Sequence, residues 1–416
     1  MFSKFTAISV VFLALTAFSA GVALVFRNPL LVYTAVFLVV TNVVLFIWAQ
    51  LSVSGLQLKR KHSSLAVATH PVDVRLELTN ERRNTRYGTL GFDLHQQITP
   101  GQDYTAVAFL EAPRGVPVGA EYQAIPARRG VFRLGPFYLY GGDPFGFYKC
   151  WARKDEYTEL TVLPNPVPFR FTRPASTSML AQDEMETVPV SGESTEFFGV
   201  REYAEGESLR RVHWRSTARL GKLISRQYEL NVAAAISVLV LVTPEMLAGS
   251  PVDNALEYSL RMVAGLGNAT THERYQLSFL ALMGDKHVTL SGTGRRFYQQ
   301  LAVTLAQLEG SGPVAWNSHA KVILNYLPAG SSLIVFTSDP SEETRQRLRQ
   351  LAVHFRRLGV FSFDRKSFER ARRPETPGPK LALGEGYAVC EVGYGDDLSQ
   401  ALMMLLGAAG KMREHR

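Results

Sequence analysis

The sequence predicts a multi-domain chain with two transmembrane helices, a β-sandwich domain and an α/β domain. Three patterns lead to this prediction: two long uncharged segments near the N-terminus, a region with apolar residues at a period of two, and a region where apolar strands alternate with amphipathic helices. The 416 residues suffice for two or three domains, and 46% apolar with 20% charged residues is typical of folded protein. The predicted divisions are 1–52 for the helices, 53–170 for the β-sandwich, 171–195 for a linker, 196–229 for a central segment and 230–416 for the α/β domain.

The two uncharged segments are long enough to cross a bilayer. No charged residue occurs from Thr6 to Phe26 or from Pro29 to Leu51, and a membrane-spanning helix needs about 20 apolar residues. A cleaved signal peptide is the alternative for the first segment, because Lys4 precedes it. The apolar run is too long for that, and a second run follows at once. We therefore expect a transmembrane hairpin in contact with the lipid bilayer.

The basic residues around the hairpin predict its orientation. Lys4 and the basic residues 59–61 lie on one side of the two segments, and only Arg27 lies in the loop between them. The positive-inside rule then places both termini and the soluble domains in the cytoplasm. Cys150 and Cys390 are isolated in the sequence, so we expect two buried, reduced thiols, which fits the same compartment. The formal charge of +8 suits a protein beside anionic lipid as well as one that binds nucleic acid.

The region from Val53 to Phe169 has the pattern of short strands. Apolar and polar residues alternate strictly over 72–79, up to a turn at Asn80, and again over 90–94, which predicts half-buried strands. Pro and Gly clusters separate them, so an immunoglobulin-like β-sandwich is predicted. The further strands that we expect are 106–110, 121–125, 131–134, 137–140 and 159–163.

Two segments of this half of the chain are predicted to lack regular structure. Residues 141–146 are rich in glycine, but they lack the lysine and the following helix of a phosphate-binding loop, so they indicate a turn. Residues 169–193 are rich in Pro, Ser and Thr without any periodicity, which is typical of a mobile linker.

The C-terminal region alternates between two periodicities. Buried strands and amphipathic helices in alternation predict a mostly parallel sheet with helices on both faces. The expected strands are 236–242, 277–282, 333–336, 360–363 and 388–392, and the expected helices are 253–266, 295–308, 342–358 and 398–406.

The central segment is the densest run of Arg, aromatic and Gly residues in the chain. We expect a helix over 209–220, with Ser208 as its N-cap and Gly221 in the left-handed conformation after its last turn. Arg211, Arg215 and Arg219 recur every four residues and would form one basic stripe on that helix.

Two interpretations of the stripe remain open. The arginines can form a solvated ion-pair network with Glu202, Glu205, Glu207 and Glu229, as in most helices of mixed charge. Alternatively, the stripe is a surface for an acidic partner with Trp214 as an anchor, because Arg and Trp are frequent in binding hot spots. The segment can also serve as a clasp between the two soluble domains. Nucleic acid is not expected as a partner, because the stripe is short and no series of aromatic residues accompanies it.

The order of residues in this segment resembles the signature of the bacterial family called domain of unknown function 58. The residues that carry the resemblance are Arg201-Glu202-Tyr203, Gly206-Glu207-Ser208-Leu209-Arg210, Trp214-Arg215-Ser216-Thr217-Ala218-Arg219 and Gly221-Lys222-Leu223. Two upstream motifs are also similar to it, Arg129-Gly130-Val131-Phe132-Arg133-Leu134-Gly135-Pro136 with Asp143-Pro144-Phe145-Gly146, and Leu160-Thr161-Val162-Leu163-Pro164. Glu207 departs mildly from the family pattern, which more often has Asp there.

The resemblance implies a fold, a location and a role. It implies an α/β domain similar to von Willebrand factor A, a position in the bacterial inner membrane and a scaffold or adaptor role, not an enzymatic one. It implies a MoxR-type AAA+ ATPase as partner, and a transglutaminase-like membrane protein as a further one. The residues expected to bind a partner are Arg201, Glu202, Tyr203, Gly206, Arg210, Arg211, Trp214, Arg215, Arg219, Gly221 and Lys222.

Two other classes of function are kept as alternatives. A metal-dependent binder of the von Willebrand factor A type needs Asp-x-Ser-x-Ser after the first strand, and residues 241–246 lack it, so neither a metal nor another cofactor is expected. Thr337, Ser338 and Asp339 offer oxygens after a later strand, but Asp339 equally suits a helix cap. A hydrolase would use His213 with Ser216, although a structural role is the more frequent one for such a His.

Overall fold

The structure is a computed structural model that describes residues 2–5, 7–99, 102–169, 197–202, 213–228, 235–272, 275–310, 312–314, 316–339, 341–371, 378–383 and 387–408. The chain forms two compact units, and each is described here by itself. The first unit comprises Met1–Asn165 with Ala302–Leu308, and the second comprises Pro166–Leu301 with Glu309–Arg416. The whole of the predicted linker, 171–195, lies outside the described residues.

Two apolar helices open the chain, as predicted. They are α1 (Ala7–Phe26) and α2 (Pro29–Ser52), and both are long and apolar enough to cross a membrane. Asn28 caps α2, because its side chain accepts a hydrogen bond from the backbone N–H of Leu30, and Pro29 occupies the first helical position. Most of the large apolar side chains of both helices are exposed, which is the surface that acyl chains would solvate.

The two helices meet along a seam of small and polar residues. The buried residues recur every seven positions, as Ser9, Thr16 and Ala23 in α1 and as Ala35, Asn42 and Ala49 in α2. Small side chains let two apolar helices approach closely, and a heptad period is the geometry of left-handed helix pairs. Asn42 Nδ2 donates a hydrogen bond of 2.8 Å to Thr16 Oγ1, so the central polar groups of the seam are paired.

The rest of the first unit is a β-rich region of several sheets. Its strands are β1 (Phe2–Phe5), β2 (Leu56–His62), β3 (Leu65–Val67), β4 (Val72–Asn80), β5 (Arg86–Thr99), β6 (Gln102–Ala112), β7 (Val118–Ala124), β8 (Gly130–Leu134), β9 (Phe137–Gly142), β10 (Tyr148–Lys154) and β11 (Thr158–Leu163). They form sheets of order β1-β10-β9-β5-β6, β2-β4-β7 and β3-β11-β8. The alternation predicted for β4 is present, since its residues are buried at every second position. The sequence analysis did not predict β1, β2, β3 and β10.

The second apolar helix contributes to the core of the β-rich region. Leu45, Ala49 and Val53 are buried in one cluster with Phe137 and Leu139 of β9 and with residues of β2, β4, β6 and β10. The helix and the sheets therefore share a single apolar core.

A buried ion pair lies inside the first unit. The guanidinium of Arg60 binds the carboxylate of Asp93 through Nη2 and, at 2.9 Å, through Nε, and both side chains are fully buried. The Tyr122 hydroxyl donates to the same carboxylate at 2.7 Å, and Arg60 also donates to the backbone carbonyl of Leu134 at 3.1 Å. Burial and the charge of Asp93 raise the pKa of Tyr122, so its hydroxyl stays protonated. The polar groups of the cluster thus satisfy one another.

Removing one partner of this pair should destabilise the first unit. In Arg60→Met the Asp93 charge would remain buried without its cation, which costs about 3–5 kcal/mol. Arg75→Met is the matched control, because its side chain is 58% exposed and its ion pairs with Glu77 and Glu121 lie on the surface. The control should cost at most about 1 kcal/mol. Calorimetry of the detergent-solubilised protein measures both, and equal melting temperatures for the two variants would contradict the assignment.

After residue 196 the chain alternates between strands and helices. The strands are β12 (Phe197–Glu202), β13 (Ile224–Tyr228), β14 (Ala235–Leu241), β15 (Gln276–Met283), β16 (Lys286–Gly292), β17 (Ser332–Thr337), β18 (Arg357–Phe363), β19 (Lys380–Leu383) and β20 (Ala388–Val392). The helices are α3 (Trp214–Leu220), α4 (Ala255–Ala269), α5 (Gly294–Gln307), α6 (Trp316–Tyr326), α7 (Glu342–Ala352), α8 (Arg365–Glu369) and α9 (Leu398–Ala408).

Seven of these strands form one sheet in the second unit. The order is β16-β15-β14-β17-β18-β20-β19, with five parallel strands in the middle and an antiparallel strand at each edge. Leu358 of β18 belongs to the apolar cluster that includes Ile323 of α6 and Leu348 of α7. The next residue, Gly359, packs against Leu405 of α9, and successive residues of a strand point to opposite faces. Helices therefore cover both faces of a mostly parallel sheet, as predicted.

One predicted helix ends earlier than expected. We predicted a helix over 342–358, but α7 ends at Ala352 and Leu358 lies in β18, where it pairs with Leu333 of β17. Burial between two parallel strands outweighs the helical spacing of these apolar residues. The sequence analysis also missed α6 and the two antiparallel edge strands β16 and β19.

Both cysteines are buried and neither forms a disulfide, as predicted. Burial, with a smaller contribution from the Asp396 charge, raises the pKa of Cys390 to about 12. Since only the thiolate reacts readily, Cys390 should be inert in the folded chain.

A thiol reagent should modify Cys390 only after the second unit unfolds. At neutral pH the folded protein should show no modified Cys390 by mass spectrometry of its peptides, whereas the same sample in urea should be fully modified. The raised pKa also means that the unfolded thiol, with an ordinary pKa of 9.0, ionises first. The contribution of Cys390 to stability should therefore fall as the pH rises above 9.0. Rapid modification of the folded protein would show that this thiol is not enclosed.

Candidate functional site

The central segment folds around a pair of antiparallel strands. β12 pairs with β13, with Val200 opposite Arg226 and Glu202 opposite Ile224. The helix α3 lies between these strands in the sequence, so it belongs to the connection that joins them. The structure therefore holds both ends of the signature together through a backbone ladder.

The helix in this connection begins later than predicted. His213 is the N-cap of α3, with φ −91° and ψ 85°, and its side chain accepts a hydrogen bond from the backbone N–H of Ser216. The predicted helix over 209–220 is wrong at His213, because this residue is not helical. In α3 a histidine nitrogen takes the capping role. Residues 203–212, which include the predicted N-cap Ser208 and the predicted first residue Leu209, lie outside the described part of the chain.

The end of the helix agrees with the prediction. Gly221 has φ +67°, and its N–H donates to the carbonyl of Thr217 at 2.9 Å. A residue with a Cβ is strained in this left-handed conformation, so glycine allows α3 to end here and the chain to turn into β13.

Four side chains around α3 form an exposed surface that we call the basic surface: Trp214, Arg215, Arg219 and Lys222. Trp214 is 63% exposed, although a tryptophan side chain normally buries a large apolar area. Arg215 and Arg219 are one helical turn apart, and neither has an ion-pair partner among the described residues. Leu223, which the sequence analysis did not include among the binding residues, is 44% exposed beside Lys222 and extends the surface with an apolar edge.

The remaining predicted binding residues fall into three groups. Gly221 ends α3, as described above. Arg201 and Glu202 are in β12, where the structure describes their backbone only. Four predicted residues lie outside the described residues: Tyr203, Gly206, Arg210 and Arg211. The structure therefore describes two of the three arginines of the predicted stripe, Arg215 and Arg219.

His213 and Ser216 are close enough for a hydrogen bond. The distance between His213 Nδ1 and Ser216 Oγ is 2.7 Å, and the backbone N–H of Ser216 lies 3.3 Å from the same nitrogen. The helix cap and the hydroxyl thus use one side of the imidazole ring. This geometry explains the histidine as a structural cap, and the same contact is the one observation that a hydrolase would share.

The capping role predicts how substitutions of His213 affect α3. His213→Ala should weaken the helix by about 1 kcal/mol, whereas His213→Asn keeps a side-chain acceptor and should preserve it. Hydrogen exchange of the amides at the end of α3 measures this, and a loss of about 1 kcal/mol corresponds to roughly fivefold faster exchange. Equal exchange in the Ala and Asn variants would contradict the capping role.

The carboxyl ends of β14 and β17 are the second candidate site, where the sequence analysis placed possible oxygen ligands. These strands are neighbours in the sheet, and β14 leads through α4 to β15 on its other side, so the chain direction switches here. The Asp339 carboxylate accepts hydrogen bonds from the backbone and hydroxyl of Ser341 and from the hydroxyl of Thr344, so it holds the N-cap of α7, Ser341, in place. Ser338 Oγ donates to the carbonyl of Phe363. The Thr243 hydroxyl is buried without a hydrogen-bond partner in the described structure.

These oxygens are mostly engaged in local hydrogen bonds. Among the described residues, no group of three or more His, Cys, Asp or Glu side chains is placed to hold a metal ion. The Asp-x-Ser-x-Ser ligands are replaced by the segment that begins with Thr243, which continues into a short 3₁₀ helix, Pro244–Leu247. The chemistry of this edge is therefore that of helix capping.

The upstream motifs of the signature are parts of the β-rich region. Gly130–Leu134 is β8 and Thr158–Leu163 is β11, and these strands pair antiparallel, with Phe132 opposite Leu160. The Asp143-Pro144-Phe145-Gly146 motif is a turn between β9 and β10, as predicted. The Asp143 carboxylate accepts the backbone N–H groups of Phe145 and Tyr148, so these donors are not available to a phosphate.

Comparisons with known proteins identify one family. Residues 199–351 match the family model described as "Protein of unknown function DUF58", which confirms the resemblance found in the sequence. No curated protein sequence matches the chain.

The chain was also compared with solved structures. It is similar over 26% of its length to the CARDB domain of a Pyrococcus furiosus protein, with 11% identity, 91% of that chain covered and a TM-score of 0.19. Over 26% it is similar to a beta-glucosidase from Listeria innocua, with 10% identity, 16% of that chain covered and a TM-score of 0.17. Over 25% it is similar to the PKD domain of an M14-like peptidase from a Thermoplasmatales archaeon, with 8% identity, 91% of that chain covered and a TM-score of 0.16. Likeness at these TM-scores supports no statement about function.

Proposed function

From the match of residues 199–351 to the DUF58 family model, we propose that the chain is a membrane-anchored adaptor that presents a basic docking surface to a partner. The observation that carries the proposal is the exposure of Trp214 beside two arginines that have no ion-pair partner among the described residues. Tryptophan and arginine dominate binding hot spots, and an exposed tryptophan contributes little to the fold that carries it. The basic surface therefore suits an acidic partner with an apolar pocket.

The proposed location is the bacterial inner membrane, with both soluble units in the cytoplasm. The two apolar helices support the anchor, and the positive-inside rule supports the orientation. In the folded chain Arg60 is buried against Asp93. The rule concerns the unfolded segment during insertion, so Lys59, Arg60 and Lys61 all count toward it.

The proposed partner is a MoxR-type AAA+ ATPase, with a transglutaminase-like membrane protein as a further component. This part of the proposal comes from the family resemblance. We also propose that the α/β unit is similar to von Willebrand factor A, which its central parallel strands and its helices on both faces support. In this role the chain would act as a scaffold without chemistry of its own, and the hydrogen bonds of His213 and Asp339 to helix starts fit that role.

The adaptor role predicts that reversing charge on the basic surface weakens binding. Arg215→Glu/Arg219→Glu should raise the Kd for a purified MoxR-type ATPase at least about tenfold, equivalent to about 1.4 kcal/mol. The measurement uses the full chain in detergent, immobilised, with the ATPase titrated in the presence of ATP. Melting curves establish that the variant is folded.

A second double variant controls for the change in net charge. Arg345→Glu/Arg349→Glu alters two exposed arginines of α7 that have the same four-residue spacing and side chains 54% and 51% exposed. Its Kd should equal that of the wild type. If the two double variants weaken binding equally, the basic surface is not the contact, and if the wild type does not bind the ATPase, the proposed partner is wrong.

A further inference from the structure

The turn between β9 and β10 lies alongside the apolar helices, not beyond their ends. The Phe147 ring is 4.6 Å from the ring of Phe12 in α1, measured between centroids. The Tyr148 ring is 5.6 Å from that of Phe46 in α2, and its hydroxyl donates to Asn42 Oδ1 at 2.6 Å. The β-rich region thus contacts both helices along their length.

These contacts are far from the ends at which the helices join the β-rich region. Phe12 is five residues from the start of α1 at Ala7, or about 7 Å along the axis, at a rise of about 1.5 Å per residue. Asn42 is ten residues from the end of α2 at Ser52, or about 15 Å along the axis. The side chains of the turn therefore reach a considerable depth along the hairpin.

The length of α1 leaves little room for this depth to lie outside a membrane. Its 20 residues measure about 30 Å, which is the thickness of the hydrocarbon core. If α1 crosses the membrane, as proposed above, a helix of that length uses nearly all its residues to do so, which places Phe12 below the membrane surface. Because Phe147 contacts Phe12, the turn lies at the same level.

Most backbone N–H groups of the turn have hydrogen-bond partners within the turn. Hydrocarbon offers no hydrogen-bond partners, so irregular backbone there has to satisfy its own polar groups. The Asp143 carboxylate accepts the N–H groups of Phe145 and Tyr148, the Gly146 N–H donates to the Asp143 carbonyl, and the Asp143 N–H donates to the Tyr148 carbonyl. Residue 144 is a proline, which has no N–H.

The turn carries one buried polar side chain and one exposed apolar side chain. Asp143 is 7% exposed, so its carboxylate is enclosed with the N–H groups that it accepts. Phe145 at the tip is 72% exposed, so an apolar ring is presented to the surroundings of the turn. Lys149, the first exposed residue of β10 after the turn, places a cation where a long side chain can reach the headgroups.

We propose that the turn Asp143–Tyr148 inserts into the lipid bilayer beside the hairpin and that Phe145 contacts acyl chains. The turn then holds the β-rich region at a fixed depth on the membrane, in addition to the covalent link through α2. This inference rests on the membrane anchoring proposed above, but not on the adaptor role or its partner.

The depth of residue 145 tests the proposal. The full chain is reconstituted in vesicles of phosphatidylethanolamine and phosphatidylglycerol, and a nitroxide label is attached to Phe145→Cys. Its accessibility to oxygen, which partitions into lipid, is compared with its accessibility to a water-soluble nickel chelate. The native cysteines are buried, and the amount of label that they take up is measured on the wild type. Melting curves establish that each variant is folded.

Two further positions calibrate the measurement. Ile125→Cys is the aqueous control, because Ile125 is 50% exposed. It directly follows β7, at one end of the β2-β4-β7 sheet, whereas α2 leads into the start of β2 at the opposite end of that sheet. Val36→Cys, 54% exposed in the middle of α2, reports whether the hairpin crosses the bilayer.

The proposal expects the ratio of oxygen to nickel accessibility at residue 145 to be several-fold higher than at residue 125 and close to that at residue 36. If residue 36 is in lipid and residue 145 is as aqueous as residue 125, the membrane anchor stands and the inserted turn is refuted. If residue 36 is itself aqueous, the anchor and the inserted turn are both refuted. Neither result bears on binding to the basic surface.

Discussion

The packing of α2 into the β core is the constraint on which the first unit depends. Leu45, Ala49 and Val53 share one buried cluster with β9 and its neighbours, so the last two turns of an apolar helix are also part of a folded sheet structure. Burying the Leu45 and Val53 side chains stabilises by roughly 1.5–3 kcal/mol each, which a flexible tether would not provide. The consequence is geometric. The helix attaches the β-rich region to the hairpin, and it also fixes the orientation of the sheets relative to the hairpin.

Polar groups inside this apolar frame are tolerated because each has a partner. Asn42 donates to Thr16 and accepts from Tyr148, so one amide ties α1, α2 and β10 together. The Arg60 guanidinium and the Asp93 carboxylate form a second such group in the sheets. A buried polar group without a partner costs more than a hydrogen bond gains, so a change at any of these positions disrupts more than one element. These contacts provide specificity for one arrangement of helices and strands, whereas the apolar cluster provides most of the stabilisation.

The sequence predicted the elements whose signal is local and missed those that depend on distant residues. The two apolar helices, the alternation in β4 and the strands β14 and β17 follow from hydrophobic periodicity alone. β1 was missed because its four residues pair with β10, more than a hundred positions away. β10 was missed because the alternation of buried Tyr148 and Cys150 with exposed Lys149 is short and stops at Trp151. At α3 the structure uses the imidazole of His213 as the N-cap, a role that the sequence analysis did not assign to it. No sequence pattern revealed that the 143–148 turn lies beside the hairpin, because that contact depends on the tertiary packing.

The exposure of α3 bears on whether the signature is a docking surface or a clasp. A clasp stabilises by burying its side chains, and hot-spot residues such as Trp and Arg contribute most when water is excluded from them. In the described part of the signature the reverse holds, since Trp214 is 63% exposed and Arg215, Arg219 and Lys222 are exposed with it. The pairing of β12 with β13 already holds the ends of the segment together through backbone hydrogen bonds. The side chains of α3 are therefore not needed to close the connection between β12 and β13, and their exposure fits the docking surface proposed above.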